Sequence, residues 1–327
     1  MFHRLLIQLL IIMFFAPVYA SVPNGYLFYF DAKEVNGAGQ PQPADGALIT
    51  QWIDLSSGIV ASAATGNRPR FDQDVINGRP GVKFGPISGS GEGVFNIPSS
   101  NAINLDAVYS QKSFALVFKT SSDVNSLQFL YEQGGRVNGY NIMIKGGDLW
   151  FGLWRKNATP ENSSINLGSI STNTIYQIVA VHDQTASEIR VYLDGNLEAN
   201  QAITYPLIRH SGSVNLGGND PTIDVSLPGI TGVIDHGFEH YFDGHIAEFY
   251  SWNDSLTATE VADISEHFNE QWEPVDIIIS QSVVVTEDFF SISNDKAISG
   301  SIMEFTLLVT NQGLGIPAED LTNISID

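Results

Sequence analysis

Cysteine is absent from all 327 residues. That excludes disulfide staples, thiol nucleophiles, cysteine-ligated zinc and iron–sulfur clusters. A chain without staples must hold itself together by burying a large core, and an apolar share of 43% suffices for one. Positive charge is scarce as well: 15 Lys and Arg stand against 36 Asp and Glu, a formal charge of −21. Nucleic acid is therefore a poor partner, because phosphate binding needs clustered cations that release counterions. Such acidity suits solubility in a salty exterior, where a Debye length of about 8 Å or less screens self-repulsion. After the first twenty residues no run reaches the length of a membrane-spanning segment, about 20 apolar residues. The nucleophile elbow Gly-x-Ser-x-Gly, the zinc motif His-Glu-x-x-His and the phosphate loop are missing too.

The N-terminus carries the clearest positive signal. MFHRLLIQLLIIMFFAPVYA has a short basic start at His3 and Arg4, an apolar run from Leu5 to Phe15, and small residues up to Ala20. This order predicts a secretory signal cleaved after Ala20, and hence a secreted or cell-surface protein. No cysteine follows the cleavage point, which rules out a lipid anchor there.

From Gly25 onward, short β-rich runs alternate with turn clusters, as in an all-β fold. Among them are GYLFYFDA, KSFALVFKT, YNIMIKGG, DLWFGLW, IYQIVAVHD, EIRVYLDG and GHIAEFYSW, punctuated by Gly146-Gly147, Asp194-Gly195, Gly217-Gly218 and Asp243-Gly244. Thirty glycines and 14 prolines supply the turns. Only SLTATEVADISEHFNEQW reads as a helix, with Thr257 and Glu260 spaced as a capping box. After Trp272 the texture changes, and VDIIISQSVVVTED and SIMEFTLLVTNQG read as strands of a second, incomplete unit from about Val275 to Asp327.

Several motifs in order resemble one family. They are Trp52-Ile-Asp54-Leu-Ser56-Ser-Gly58, Ile76-Asn77-Gly78-Arg-Pro80-Gly-Val82-Lys-Phe84, Phe114-Ala-Leu-Val-Phe118, Ile189-Arg-Val-Tyr-Leu-Asp194-Gly195, Val214-Asn-Leu-Gly217-Gly218, and Phe242-Asp-Gly244-His-Ile246-Ala-Glu248. Together they resemble the concanavalin A-like jelly roll, in particular bacterial laminin-G-like modules, over residues 21–273. The resemblance implies two antiparallel sheets packed face to face and a carbohydrate- or protein-binding role, often with calcium on the rim. Where the family commonly has an acid after the glycine of the middle hairpin, this chain reads Gly134-Gly135-Arg136. Residues 275–327, through Gly300, Phe305, Asn311 and Gly313, resemble part of an immunoglobulin-like repeat of bacterial surface proteins, which implies a spacer.

The superfamily also contains glucanases, which need two carboxylates about 5–5.5 Å apart for a retaining reaction. The nearest acidic string, Glu260-Val-Ala-Asp263-Ile-Ser-Glu266, has helical spacing and lies in the closing helix, so no catalytic residue is assigned. Three histidines and three acids within Asp235–His245 have metal-ligating chemistry; alternatively they form a solvated loop. His182 at a strand end reads as structural. Asn219 and Asp220, after Gly217-Gly218, offer oxygen ligands suited to calcium, the one metal expected here; alternatively they cap their own turn.

The strongest binding signal is Asp148-Leu-Trp150-Phe-Gly152-Leu-Trp154-Arg155. In a strand Leu149, Phe151 and Leu153 share the core face, while Trp150 and Trp154 share the other, with Asp148 and Arg155 beside them. Open to water, the two indoles would make a platform for a sugar ring; covered by a loop, they form a satellite cluster. The sequence thus reads as a secreted or surface module that binds carbohydrate without catalysis, its partners glycans or extracellular matrix and envelope polymers. The alternatives are a protein-binding adhesin or structural surface module and, behind it, a polysaccharide hydrolase.

Overall fold

The computed structural model describes residues 21–272 except 101, 104–107, 110, 204, 213, 223, 231–234 and 237–238, and the backbone of two later strands. The first strands are β1 (Tyr26–Asp31), β2 (Gln51–Ile53), β3 (Val60–Ser62), β4 (Arg70–Ile76), β5 (Arg79–Phe84), β6 (Phe95–Ile97) and β7 (Val108–Tyr109). Next come β8 (Gln111–Thr120), β9 (Gln128–Gly134), β10 (Asn138–Lys145), β11 (Asp148–Arg155), β12 (Asn162–Ser169), β13 (Ile175–Asp183), β14 (Glu188–Leu193) and β15 (Asn196–Ala202). The rest are β16 (Leu207–Ile208), β17 (Val214–Leu216), β18 (Asp224–Val225), β19 (Asp235–His236), β20 (Gly244–Trp252), helix α1 (Ala258–Trp272), β21 (Ile277–Glu287) and β22 (Ile302–Asn311).

Two antiparallel sheets result, as the resemblance implies, and each has eight strands. One runs β15-β14-β13-β8-β20-β5-β4, with β1 also on β20; the other runs β12-β11-β10-β9-β17-β6-β3-β2. Their inner faces close on an aromatic-rich core that includes Phe28, Phe30, Trp52, Phe84, Phe95, Phe114 and Tyr131. Alternation explains it: in β8, Phe114, Leu116 and Phe118 face this core, while Ala115 and Val117 face a second cluster outside the sheet. Each fully buried large side chain contributes about 1.5–3 kcal/mol, which lets the fold do without disulfides.

Two motifs of the resemblance have structural work. Asp54 accepts from the amides of Tyr29, Ser56 and Ser57, tying β1 to the loop after β2. The Asp194-Gly195 turn closes β14 onto β15, both residues at positive φ.

Helix α1 lies on the outer face of the first sheet. Val261, Ile264, Phe268 and Trp272 join Val117, Val179, Val181 and Trp252 in a buried cluster. Its start is a reciprocal capping box: the Thr257 amide donates to Glu260 Oε2 at 2.7 Å, and the Glu260 amide donates to Thr257 Oγ1 at 3.3 Å. Glu260 is thereby spent on the cap, and Glu266 points to solvent.

The predicted signal, residues 1–20, lies outside the described residues. Of the tail, β21 and β22 pair antiparallel with each other. No helix among the described residues is long and apolar enough to cross a membrane.

Candidate functional site

In β11 the core-facing residues behave as alternation predicts: Leu149, Phe151 and Leu153 are buried between the sheets. The opposite face corrects the open-platform expectation. Trp154 is completely buried. Its indole lies on bare backbone, because a Cβ at Gly139 would stand 2.4 Å from the ring and one at Gly134 2.3 Å. Trp154 Nε1 donates to the Gly135 carbonyl at 3.0 Å, which completes its role as a wedge.

Trp150 is half-buried and donates to the Lys145 carbonyl at 3.3 Å. Four strand residues put its Cα about 13 Å from that of Trp154. Asp148, at the strand's start, accepts from Asn166 Nδ2 at 3.0 Å and Ser169 Oγ at 2.8 Å. Arg155, at its end, donates to the Pro206 carbonyl at 2.6 Å, its guanidinium 5.7 Å from the Tyr205 ring centroid. The four residues do not converge on one surface.

What covers this face is the chain itself. Ser226 sits over Gly152, where a Cβ would come within 2.5 Å of it. Asn141 Nδ2 donates to the Ser226 carbonyl at 2.9 Å, and Ser226 Oγ bonds Ser164 Oγ and the Ser163 carbonyl. Val225 and Leu227 close a small apolar cluster with Phe129 and Met143, against which Trp150 packs.

The residues expected to ligate calcium start this covering segment. Asn219 is buried and accepts from the His240 amide at 2.8 Å; Asp220 Oδ1 accepts from the amide and hydroxyl of Thr222. Of the histidine-rich stretch, residues 237–238 lie outside the described residues, and His245 bonds Asp72 at 2.9 Å. Among the described residues no three His, Asp or Glu side chains are grouped to hold a metal ion. His182 shares a hydrogen bond with Tyr140 OH at 2.6 Å in the interior, where burial pushes its imidazole down to about 4.

An open concavity lies on the other sheet, where α1 stops short of covering it. Beside the end of the helix is a cavity of about 630 Å³, with Val117, Lys119, Tyr176 and Gln177 on the sheet and Phe268, Asn269 and Trp272 on the helix. A second of about 540 Å³ adjoins it, sharing Lys119 and Asn173 and extending to Lys83, Ser121, Asp243 and His245. Both sizes fall in the range of small-molecule sites.

The groove is built by alternation and capping. Lys119 shares the outer parity of β8 with Val117 and donates to the Val75 carbonyl at 2.7 Å. Asn77, at positive φ in the β4–β5 turn, donates to the Trp272 carbonyl at 2.7 Å and fixes the helix end. Gln177 bonds Asn269 across the sheet–helix seam. The charges at the far end are matched: Lys83 pairs with Asp243, which also accepts from Ser121 Oγ. Burial disfavours a charged Asp72, yet bonds from His245 and Arg70 hold its carboxyl at about 2. Burial pulls the His245 imidazole below its ordinary value, with Lys83 and Lys119 adding to that and Asp72 opposing it. The result is a polar, amide-rich groove with a partly apolar wall, Lys83 and Asp243 paired at its far end.

Sequence reasoning singled out Asp243 and His245 only as metal-ligand candidates and passed over the other residues of the groove. The available signal was Lys119 itself, a lone cation on the outer parity of a strand otherwise rich in apolar residues.

A family model described as the concanavalin A-like lectin/glucanases superfamily matches residues 90–262. No curated protein matches the sequence. Among solved structures, the botulinum neurotoxin serotype G binding domain is similar at a TM-score of 0.50 and 15% identity, covering 80% of this chain and 56% of that one. The receptor binding domain of botulinum neurotoxin D is similar at 0.50 and 15%, covering 75% and 53%. A third similar structure, at 0.51 and 10%, covers 89% and 73% and belongs to botulinum neurotoxin type C, whose cell entry is described as dependent upon interaction with two ganglioside molecules. The chain spans about half the length of the first two. At these identities the likeness is one of fold.

Proposed function

The chain belongs to the concanavalin A-like lectin/glucanases superfamily, and from that membership we propose that it is an exported recognition module that binds carbohydrate in the groove around Lys119 without transforming it. The observation that carries this reading is the groove's lining. Asn77, Asn173, Gln177 and Asn269 supply amides that both donate and accept, as sugar hydroxyls require. Ile175 and Tyr176, half-buried on the sheet, supply the apolar edges against which a pyranose ring packs. At the far end Lys83 and Asp243 neutralise each other, which suits a glycan of low charge. Export is supported by the apolar N-terminal twenty residues.

Asp74 and Asp243 both border the groove's second cavity. Asp243 is committed to Lys83 and Ser121, and a nucleophile so neutralised is a poor partner for a retaining reaction.

A glycan array followed by affinity electrophoresis tests the reading with wild type, Lys119→Met and Trp154→Phe. Retention of a neutral polysaccharide by wild type, lost in Lys119→Met and kept in Trp154→Phe, is the expected result. Reducing ends released from the retained polysaccharide would replace recognition by hydrolysis. Retention of envelope or matrix proteins, uncompeted by free sugars, would replace it by adhesion.

A further inference from the structure

We infer that a second, cationic site lies at the end of β11, suited to the carboxylate or sulfate group of an acidic saccharide. A cavity of about 470 Å³ opens there between Val137, Arg155, Lys156, Tyr205 and Ile208, and it shares no lining residue with the groove. In a chain of formal charge −21, this cavity has two cations in its wall and no carboxylate. Among the described residues no Asp or Glu forms an ion pair with either cation. Glu161, the acid of the adjoining loop, is turned instead to the Asn157 amide at 2.8 Å.

The site is held in shape before any ligand arrives. Arg155 spends one of its five N–H donors on the Pro206 carbonyl, and its guanidinium is fixed 5.7 Å from the Tyr205 ring centroid. Its amide donates to the Glu161 carbonyl at 2.8 Å, and its carbonyl accepts from the Ala158 amide at 3.0 Å. A guanidinium so placed presents its remaining donors without first losing rotamer freedom, which favours planar oxyanions. Val137, 38% exposed, is one of two large apolar side chains that the described residues leave open to water. Together with Tyr205 it gives an apolar wall beside the two cations, matching an acid group carried on a ring. The preference for an anion stands on this cavity alone; that a saccharide carries it rests on the reading above.

Titration of the full chain with trigalacturonate, a sulfated heparin disaccharide and neutral cellotriose separates these possibilities. At least one acidic probe is expected to bind, less tightly as salt is raised, while Lys119→Met leaves that binding unchanged. Trigalacturonate alone binding identifies the carboxylate as the group held, and the heparin disaccharide alone the sulfate. Arg155→Gln and Lys156→Gln are each expected to weaken it roughly tenfold, the effect of losing one charge-assisted bond. Lys156 is exposed, so its variant removes charge without disturbing packing. Failure of both acidic probes to bind, or equal binding in both variants, overturns the proposal. Loss of acidic-probe binding in Lys119→Met alone moves the anion into the groove, which sinks the second site and spares the first. Cellotriose binding that is lost in Arg155→Gln contradicts the anion preference.

Discussion

Glu248 and Glu132 are both fully buried on the outward parity of a sheet, and burial penalises the charge of each. They end on opposite sides of the ordinary carboxylate value. Under helix α1, Glu248 accepts from Tyr250 OH at 2.6 Å, His267 Nε2 at 3.0 Å and Trp272 Nε1 at 2.6 Å. These bonds, with the charges of His267 and Lys33, outweigh burial and hold it down. Nearby Asp31 absorbs the conflict, pushed up to about 6 by burial and then by the Glu248 charge. On the other sheet Glu132 has one side-chain donor, Asn215 Nδ2 at 2.9 Å, and its Oε1 has no hydrogen-bond partner. Burial wins there over the bonds from Asn215 and the Asp220 amide, the Asp220 charge adds to it, and the carboxyl is raised well above its ordinary value. Donor number, not depth, decides whether a buried acid stays charged. The helix face is fastened by a satisfied carboxylate, whereas the segment over the other face covers a strained one.

The sharpest way to break this contrast is to remove each acid. Glu248→Ala strands three donors and is expected to cost about 3–5 kcal/mol, lowering the melting temperature on the order of 10 °C. Glu132→Gln at neutral pH is expected to leave it unchanged or higher; equal losses in the two, followed by circular dichroism, would refute the contrast. The pH dependence carries opposite signs. The Glu248 contribution is present above the free carboxylate value of about 4.3 and is lost as pH falls through its lower folded value. The Glu132 contribution is lost as pH rises from that free value, and Glu132→Gln should flatten this loss.

Lys112 extends the comparison to a cation. It is fully buried, donates to Asn253 Oδ1 at 2.8 Å, and is pushed by burial down to about 7. With a free value of about 10.4, its contribution is present above that pH and lost as pH falls through 7. Lys112→Met should therefore gain about 2 kcal/mol at pH 7 and remove the rise in stability between pH 7 and about 10, in denaturant titrations at several pH values.

A smaller effect tests the wedge. Gly139→Ala is expected to cost about 1–3 kcal/mol by overpacking against Trp154 and the Gln133 carbonyl, and only the indole's share of that cost is expected to vanish in a Trp154→Ala background. Additive costs in that cycle would show that the indole is not seated on the glycine. The smallest is Thr257→Ala, about 1 kcal/mol from loss of the cap, read as a modest fall in helix signal and melting temperature.

Much of the fold was legible because its decisive signals are local. Alternating runs gave β8, β13 and β20, Asp194-Gly195 gave the hairpin, and Thr257 with Glu260 gave the helix start. The polar strands β4 and β12 were not legible, since RFDQDVI and NSSINLGS lack the apolar alternation that marks a strand. Parity in β11 placed Trp154 on the outer face correctly, yet its burial depends on Gly134 and Gly139 in neighbouring strands and on distant Ser226 over Gly152. The groove was hidden for the same reason. Lys119, Asn173, Asn269 and Asn77 lie far apart in sequence and meet only where α1 ends on the sheet.

Hydrogen–deuterium exchange with and without a retained neutral glycan addresses the groove most directly. The account predicts slowed exchange in Val117–Thr120, Asn173–Gln177 and Phe268–Trp272, with Asp148–Arg155 unchanged. Slowing confined to Asp148–Arg155 and the segment around Ser226 would contradict it.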